Sequence, residues 1–593
     1  MNRKVIYTVA IALLSGTVLP LQAQSDSSVY NESVVVVGDY NPVLDGLTEK
    51  INVAPSSNDN IPQELQPKFN YSITPRRMTS LTTTSGIKAA KVLGSPSKIY
   101  NNYMRFGLGH DFAAFPDFNP MMDLYLTSTR HDNYSYGARF YHLTDITTFG
   151  KEGDSLPSPD YYGRNRESFT QMDVFGKYIF KKKHLFSASL TMDRMRTGYY
   201  GYSDSTLDAN GLTRDSVSMS ELASTYNNFA LNLGAKSLHT DVNKLGYDAN
   251  LGIADLWGKW NFSQFSSTLD ASLHYGFPLF SKYKGVAYLH TNWQGYGQHD
   301  GDNSTVRRNL TTVTPYVDFL FNDFKFHVGL GLGFNGYDDP NETHHNMLPD
   351  ITITKTMMNK SMSLMAGLQG GYLANDWNTL RLQNPYLMPA PTTAATVDNN
   401  LFAHLRINFS KKLILKLAVD HHFYKNFVSY KPKYASYICM YDPYYVDVNS
   451  LDLSGDFTFV NDEMISLSVG GTYGLNYNGP DNVILLYNPD FTGYVAAKVN
   501  YKDKWLFGLQ THFVSGVDAD MAINPATNLN EVTKTLPAHL GISLDAEYLY
   551  SKALSFFAKV DNLTGHRYFL WADYPAQRFN IMLGLTYTLP TKK

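Results

Sequence analysis

Three short stretches carry side chains that could do chemistry. Asp420, His421 and His422 stand consecutively, and a carboxylate beside an imidazole is raw material for a metal site or an acid–base pair. The residues around them, "KLILKLAVDHHF", alternate with period two. That alternation puts Asp420, His422 and Lys416 on one face, so a polar wall is the simpler use of the same residues. "HDGDNS", His299–Ser304, offers Asp300, Asp302 and Asn303. Its order is wrong for a calcium loop of the EF-hand kind, which needs Gly at position six and Glu at position twelve, so it reads as a solvated loop. Cys439 is the only cysteine. No internal disulfide and no cysteine-based metal site can form, and Cys439 reads as a small unpaired side chain. No serine stands at a nucleophile's spacing from a base. The expectation is a protein that is not an enzyme, with no catalytic residue, no metal and no cofactor.

The elements that hold these residues are strands. The chain has 593 residues and a formal net charge of -3, with 43 Tyr, 34 Phe and 6 Trp. A balance so near neutral gives no argument for nucleic acid, and a mean hydropathy of -0.28 is too polar for a bundle of membrane helices. From Tyr103 onward, one alternating segment follows another. In "HLFSASLTMDR", Phe186, Ala188, Leu190 and Met192 face one way, and Ser187, Ser189, Thr191 and Asp193 the other. Period two with one apolar and one polar face means a strand between two environments. About 22 such strands are expected by this criterion. Short connections at 181–184, 322–323, 357–360, 410–412, 460–463, 501–504 and 550–552 alternate with long ones at 146–167, 198–222, 293–306, 375–397, 426–442 and 516–533. Tight turns on one rim and long loops on the other are the signature of a transmembrane antiparallel up-and-down β-barrel, with outer-membrane lipid as its outer partner. A secreted propeller or β-helix would also alternate, but no blade-like repeat is present.

The chain divides into four parts. Residues 1–24 read as a signal peptide: Arg3 and Lys4, then the apolar Val5–Leu21, then "QAQ", as a secretory leader requires. Residues 25–100 are Pro-rich, with prolines at 42, 55, 62, 67, 75 and 96. Residues 101–589 form the barrel and 590–593 a tail. Lipid leaves no edge strand satisfied, so the last strand must pair with the first. Phe579, Ile581, Leu583, Leu585, Tyr587 and Leu589 then face lipid, and Asn580, Met582, Gly584, Thr586 and Thr588 face the lumen. Arginine is therefore expected to be tolerated better at Gly584 than at Leu583, unless it clashes there.

Both ends of the chain resemble the TonB-dependent receptors. At the C-terminus, "VDNLTGHRYFLWADYPAQRFNIMLGLTYTL" is similar to that family's last two strands, with Asn562, Leu563, Tyr568, Arg578, Gly584 and Tyr587 in the matching places. Near the N-terminus, "ESVVVVG" (Glu32, Ser33, Val34, Val35, Val36, Val37, Gly38) resembles the TonB box of Bacteroidota receptors. The resemblance implies an outer-membrane transporter of a Gram-negative bacterium that takes up a nutrient. Its partner would be TonB, or another periplasmic or outer-membrane protein. Physically, a β-branched run can add a strand to another protein's sheet edge; it can equally form a short structural strand or tuck into the barrel. The Pro-rich segment before Tyr103 is too short for the family's complete plug domain, so a receptor-type barrel without a standard plug is expected. A barrel of this width must be sealed, and the 62–100 half of the Pro-rich segment is expected in or under the lumen. No substrate follows from these residues. A scaffold subunit of an envelope complex is the alternative reading. The aromatic stretches 381–391 and 430–445 would serve either a sugar, peptide or protein ligand, or packing over the barrel mouth.

Overall fold

The structure is a computed structural model. It describes residues 102–110, 118–128, 131, 133–149, 163–199, 201, 211, 223–239, 243–279, 283–299, 305–337, 344–388, 394–435, 438–461, 464–477, 484–525, 529–577 and 579–589. Residues 1–101, which hold the leader-like stretch and Glu32–Gly38, lie outside these, as do Arg578 and Asp300–Ser304.

Twenty-two strands form one antiparallel sheet in which each pairs with its sequence neighbours. The last barrel strand, Asn580–Leu589, pairs with the one before it, Leu554–Asp561, and with the first, Asn102–His110. The register runs from Asn102 opposite Leu589 to His110 opposite Ile581. The sheet is thereby closed, and no backbone edge is left to meet lipid.

The alternation turns the protein inside out. Phe186 and Met192 are exposed on the outer face, as are Leu417, Val419 and Phe423. Between them, Asp420 is 2% and His422 6% exposed. An apolar outside and a polar inside are what a lipid-spanning barrel needs. On the closing strand Leu583, Leu585 and Tyr587 are exposed, while Asn580 and Met582 are buried. Gly584 does not behave as an open lumen position. A Cβ there would lie 2.1 Å from the backbone oxygen of Phe106 and 2.3 Å from the Phe557 ring. The exception to the expected tolerance of arginine at 584, a clash, is therefore what the packing presents.

One rim carries the tight turns. Asn322 and Asp323 both take positive φ (46° and 63°), as do Lys181 and Lys182, and Lys502 and Asp503. Paired left-handed residues match the twist of a hairpin. On the other rim, the strands flanking the expected long connection 146–167, Tyr134–Phe149 and Gly163–Phe180, stay paired up to Phe149 opposite Gly163, and residues 150–162 between them lie outside the described residues. This rim differs from expectation in two places. Strand Tyr283–His299 and its partner Thr305–Phe321 leave only 300–304 between them. Strands Leu413–Ala435 and Ile438–Asn461 pair up to Ala435 opposite Ile438, so 426–442 is a tall hairpin rather than a loop. Aromatic and β-branched residues continue the ladder there, and backbone pairing does not stop where an apolar face ends.

Candidate functional site

The long-connection rim is covered by a core built from the connections themselves. Its base is the helix α1, Trp377–Gln383. Asp376 caps it by accepting from the Thr379 N–H at 3.2 Å, the ordinary device for an N-terminal donor. On one side, α1 is tied to the barrel wall by the buried side chain of Gln264. Gln264 Nε2 donates to Asp376 Oδ2 at 2.7 Å, and Gln264 Oε1 accepts from the Trp377 N–H at 2.7 Å and from Gln298 Nε2 at 3.0 Å. On the far side of α1, Arg381 is 3% exposed and donates to Asp193 at 3.2 Å and Asn378 at 2.6 Å.

Beyond α1, three segments converge. Tyr386 stacks on Tyr574 with centroids 3.6 Å apart. The chain at 386–388 runs beside the tip of the tall hairpin, where Met388 N–H donates to Tyr441 O at 2.9 Å and Tyr441 N–H to Tyr386 O at 3.1 Å. The segment 569–575 folds into a two-rung hairpin, Phe569–Trp571 with Tyr574–Pro575. Its Trp571 meets the rings of Tyr441 and Tyr487 at 5.2 and 4.6 Å. Hydroxyls finish the network: Tyr441 donates to Ala572 O at 2.7 Å, Tyr487 to Tyr441 at 3.2 Å, Tyr199 to Leu387 O at 3.3 Å and Tyr574 to Cys439 O at 2.5 Å. Buried aromatics with satisfied hydroxyls make a rigid core. Cys439 sits within it, fully buried, and burial pushes its thiol well above the usual range, reinforced by Asp573. It is a packing residue, as the sequence suggested.

The described parts of the aromatic stretches, 381–388, 430–435 and 438–445, thus pack at the mouth. Arg381, Tyr386, Leu387, Tyr430 and Tyr441 are all buried and offer no open ligand surface. Gln264, Trp377, Trp571 and Tyr574 were not singled out from sequence, and Tyr199, which the sequence places among the aromatics of an interfacial girdle, is buried in this core instead. The only local signal for the first layer was "DWNTLRLQ", a capping aspartate before a helical apolar spacing.

Beneath this cap lies a cavity of about 2210 Å³. Asp398, Asn400, His404, Asp420, His422 and Asp452 form a polar cluster on its wall, beside apolar and aromatic side chains such as Phe402, Leu417 and Trp571. His422 Nδ1 lies 2.9 Å from Asp398 Oδ1, and His404 Nε2 lies 2.9 Å from Asp420 Oδ1. The structure therefore brings Asp420 and His422 together with partners from the neighbouring strand, while His421 takes the opposite side of its strand and stacks near Phe423 at 4.2 Å. Among the described residues, no group of three or more His, Cys, Asp or Glu is placed to hold a metal ion.

No protein-family model matches the chain, and none of the curated proteins does. Solved structures do. The siderophore receptor PirA from Acinetobacter baumannii is similar at 11% identity, over 82% of this chain and 80% of that one, with a TM-score of 0.61. The FrpB iron transporter from Neisseria meningitidis gives 12% identity, 82% and 81% coverage, and 0.60. A mutant of the ferric enterobactin receptor from Pseudomonas aeruginosa gives 14%, 82% and 80%, and 0.58. At such identities the likeness defines the fold. This is a closed 22-stranded transmembrane β-barrel of the architecture used by outer-membrane receptors.

Proposed function

We propose that this chain is an outer-membrane uptake protein of a Gram-negative bacterium, coupled to TonB through Val34–Val37. The observation that carries the reading is a wide barrel whose long-connection rim holds a buried aromatic core, with a cavity bordered by carboxylates and imidazoles next to it. A barrel of this width without a cover would leak; one with a cover needs energy or a ligand to open it. The likeness to proteins described as siderophore receptors and an iron transporter makes a ferric chelate the first substrate to test. Glu32–Gly38 holds a β-branched run of the kind that strand addition to a periplasmic partner uses. Ile581, Leu583, Gly584, Leu585 and Tyr587 stand on the closing strand, Phe579 just precedes it, and Arg578 lies outside the described residues; their role in this reading is closure, not substrate binding.

The test joins binding and transport. Val35→Pro removes a ladder N–H from the middle of the run. It is expected to reduce co-purification with the TonB C-terminal domain at least tenfold, together with uptake of radiolabelled ferric enterobactin by cells expressing the chain. If the wild-type chain neither retains TonB nor raises uptake, the reading fails. A scaffold barrel would then stand in its place. One observation favours that second reading: the cap is interlocked by buried hydrogen bonds, as a permanent cover would be.

A further inference from the structure

We propose that the cationic stretch 65–101 of this same chain docks inside the lumen, against the carboxylate pair Asp420 and Asp452. Half of the case lies on the wall. Asp420 and Asp452 stand directly opposite each other on adjacent strands, and like charges in that position destabilise a sheet. Asp420 is 2% exposed. Its Oδ1 accepts from Asn400 Nδ2 at 3.0 Å and lies 2.9 Å from His404 Nε2, but its Oδ2 has no partner among the described residues. Asp452 accepts from Ser450 at 2.7 Å. Among the described residues no Lys or Arg pairs with either carboxylate; Lys416, the nearest cation along the strand, lies 3.7 Å from Asp456. Both aspartates border the cavity. A buried carboxylate with an orphan oxygen, facing a second carboxylate, is stabilised by an incoming cation.

The other half lies in the sequence. Residues 65–101 hold Lys68, Arg76, Arg77, Lys88, Lys91 and Lys98 and no acidic residue. Residues 25–64 are the reverse, with Asp26, Glu32, Asp39, Asp45, Glu49, Asp59 and Glu64 against Lys50. The sign of the charge changes at residue 64, and only the half that joins the barrel complements its wall. Prolines at 67, 75 and 96 favour an extended chain. The segment ends at Asn102, which opens the first strand opposite Leu589. Thirty-seven residues reach on the order of 120 Å when extended, more than the roughly 80 Å of the longest strand, Ile438–Asn461. Tethering also gives the segment a high effective concentration, which a free cationic solute lacks. The acidic half, with Val34–Val37, is left outside for a partner.

The test uses the mature full-length chain in detergent micelles and a trypsin time course read by mass spectrometry. Cleavage after Lys50 is expected to be at least tenfold faster than after Arg76, Lys88 or Lys91. In Asp420→Asn/Asp452→Asn, cleavage at those three sites is expected to rise at least tenfold while that at Lys50 stays put. Equal rates at all sites in the wild type would overturn the proposal. So would unchanged rates in the variant. Should the double variant fail to fold, the combined Arg76→Gln, Arg77→Gln, Lys88→Gln and Lys91→Gln chain leaves the barrel sequence intact. Chymotrypsin cleavage after Phe69 and Tyr71 should then rise at least tenfold, and no rise refutes docking by charge. Protection does not involve TonB, so this result and the uptake result fail independently.

Discussion

Gln264 shows how much one side chain can hold. Its amide reaches the first backbone N–H of α1, the capping Asp376 and Gln298 at once. Replacing it with Leu keeps the bulk but leaves the Trp377 N–H buried and unpaired, at a cost of about 1–3 kcal/mol. The cap should then open more often. Cys439 reports on this without any added label site, because it is the only thiol. Its burial keeps it protonated and out of reach, and a thiol in that state reacts slowly. Maleimide modification of Cys439 in the folded wild type is therefore expected to be slow, and in Gln264→Leu at least tenfold faster. Equal rates would mean that Gln264 does not hold the cap shut.

At the scale of the element, the closing strand Asn580–Leu589 combines two rules that sequence reading separates. Its outer face follows solvent. Leu583 is 57% exposed toward the lipid band, and arginine at that depth costs about 2–4 kcal/mol. Its inner face follows packing. Gly584 lies against the Phe557 ring and the Phe106 carbonyl, and the backbone carbonyl belongs to a neighbouring strand that cannot shift without breaking the ladder. Gly584→Ala is thus an overpacking change of about 1–3 kcal/mol, whereas Leu583→Ala only trims a side chain exposed to lipid. The smaller substitution should be the more damaging one. Urea unfolding midpoints of the two variants in lipid vesicles measure this, and a lower midpoint for Leu583→Ala would contradict the packing. The aromatic run 568–574 just before this strand belongs to a different element altogether: it leaves the barrel wall to form the small hairpin of the cap.

For the whole molecule, the two rims define an orientation. In the proposed outer-membrane setting, tight turns such as 502–504 are expected on the periplasmic side and the capped rim on the exterior. A surface label must be placed by burial as well as by topology. Pro385 lies in the long connection 375–397 but is buried in the cap. Ile523, at the tip of the projecting hairpin Val517–Ile523 with Asn530–Leu536, is 62% exposed. With the native thiol buried, Ile523→Cys should be labelled on intact cells by a membrane-impermeant maleimide, and Lys502→Cys only after lysis. The opposite pattern would invert the barrel.

What the sequence determined by itself was the wall. Strand alternation is local, because each residue's face follows from its neighbour's, and lipid outside with water inside leaves the pattern unmasked. Strand number, antiparallel order, the outward face of Leu417 and Val419, and the lumenal place of Asp420 and His422 were all legible on that ground. The extent of the tall hairpin was not, since a backbone ladder continues past the apolar stripe that marks it. The cap was decided by tertiary structure alone. Its contacts join Tyr199 to Leu387 across 188 positions and Tyr441 to Ala572 across 131. Nothing periodic links such residues. Only after closure of the barrel brings those loops to one mouth do their rings have each other to pack against.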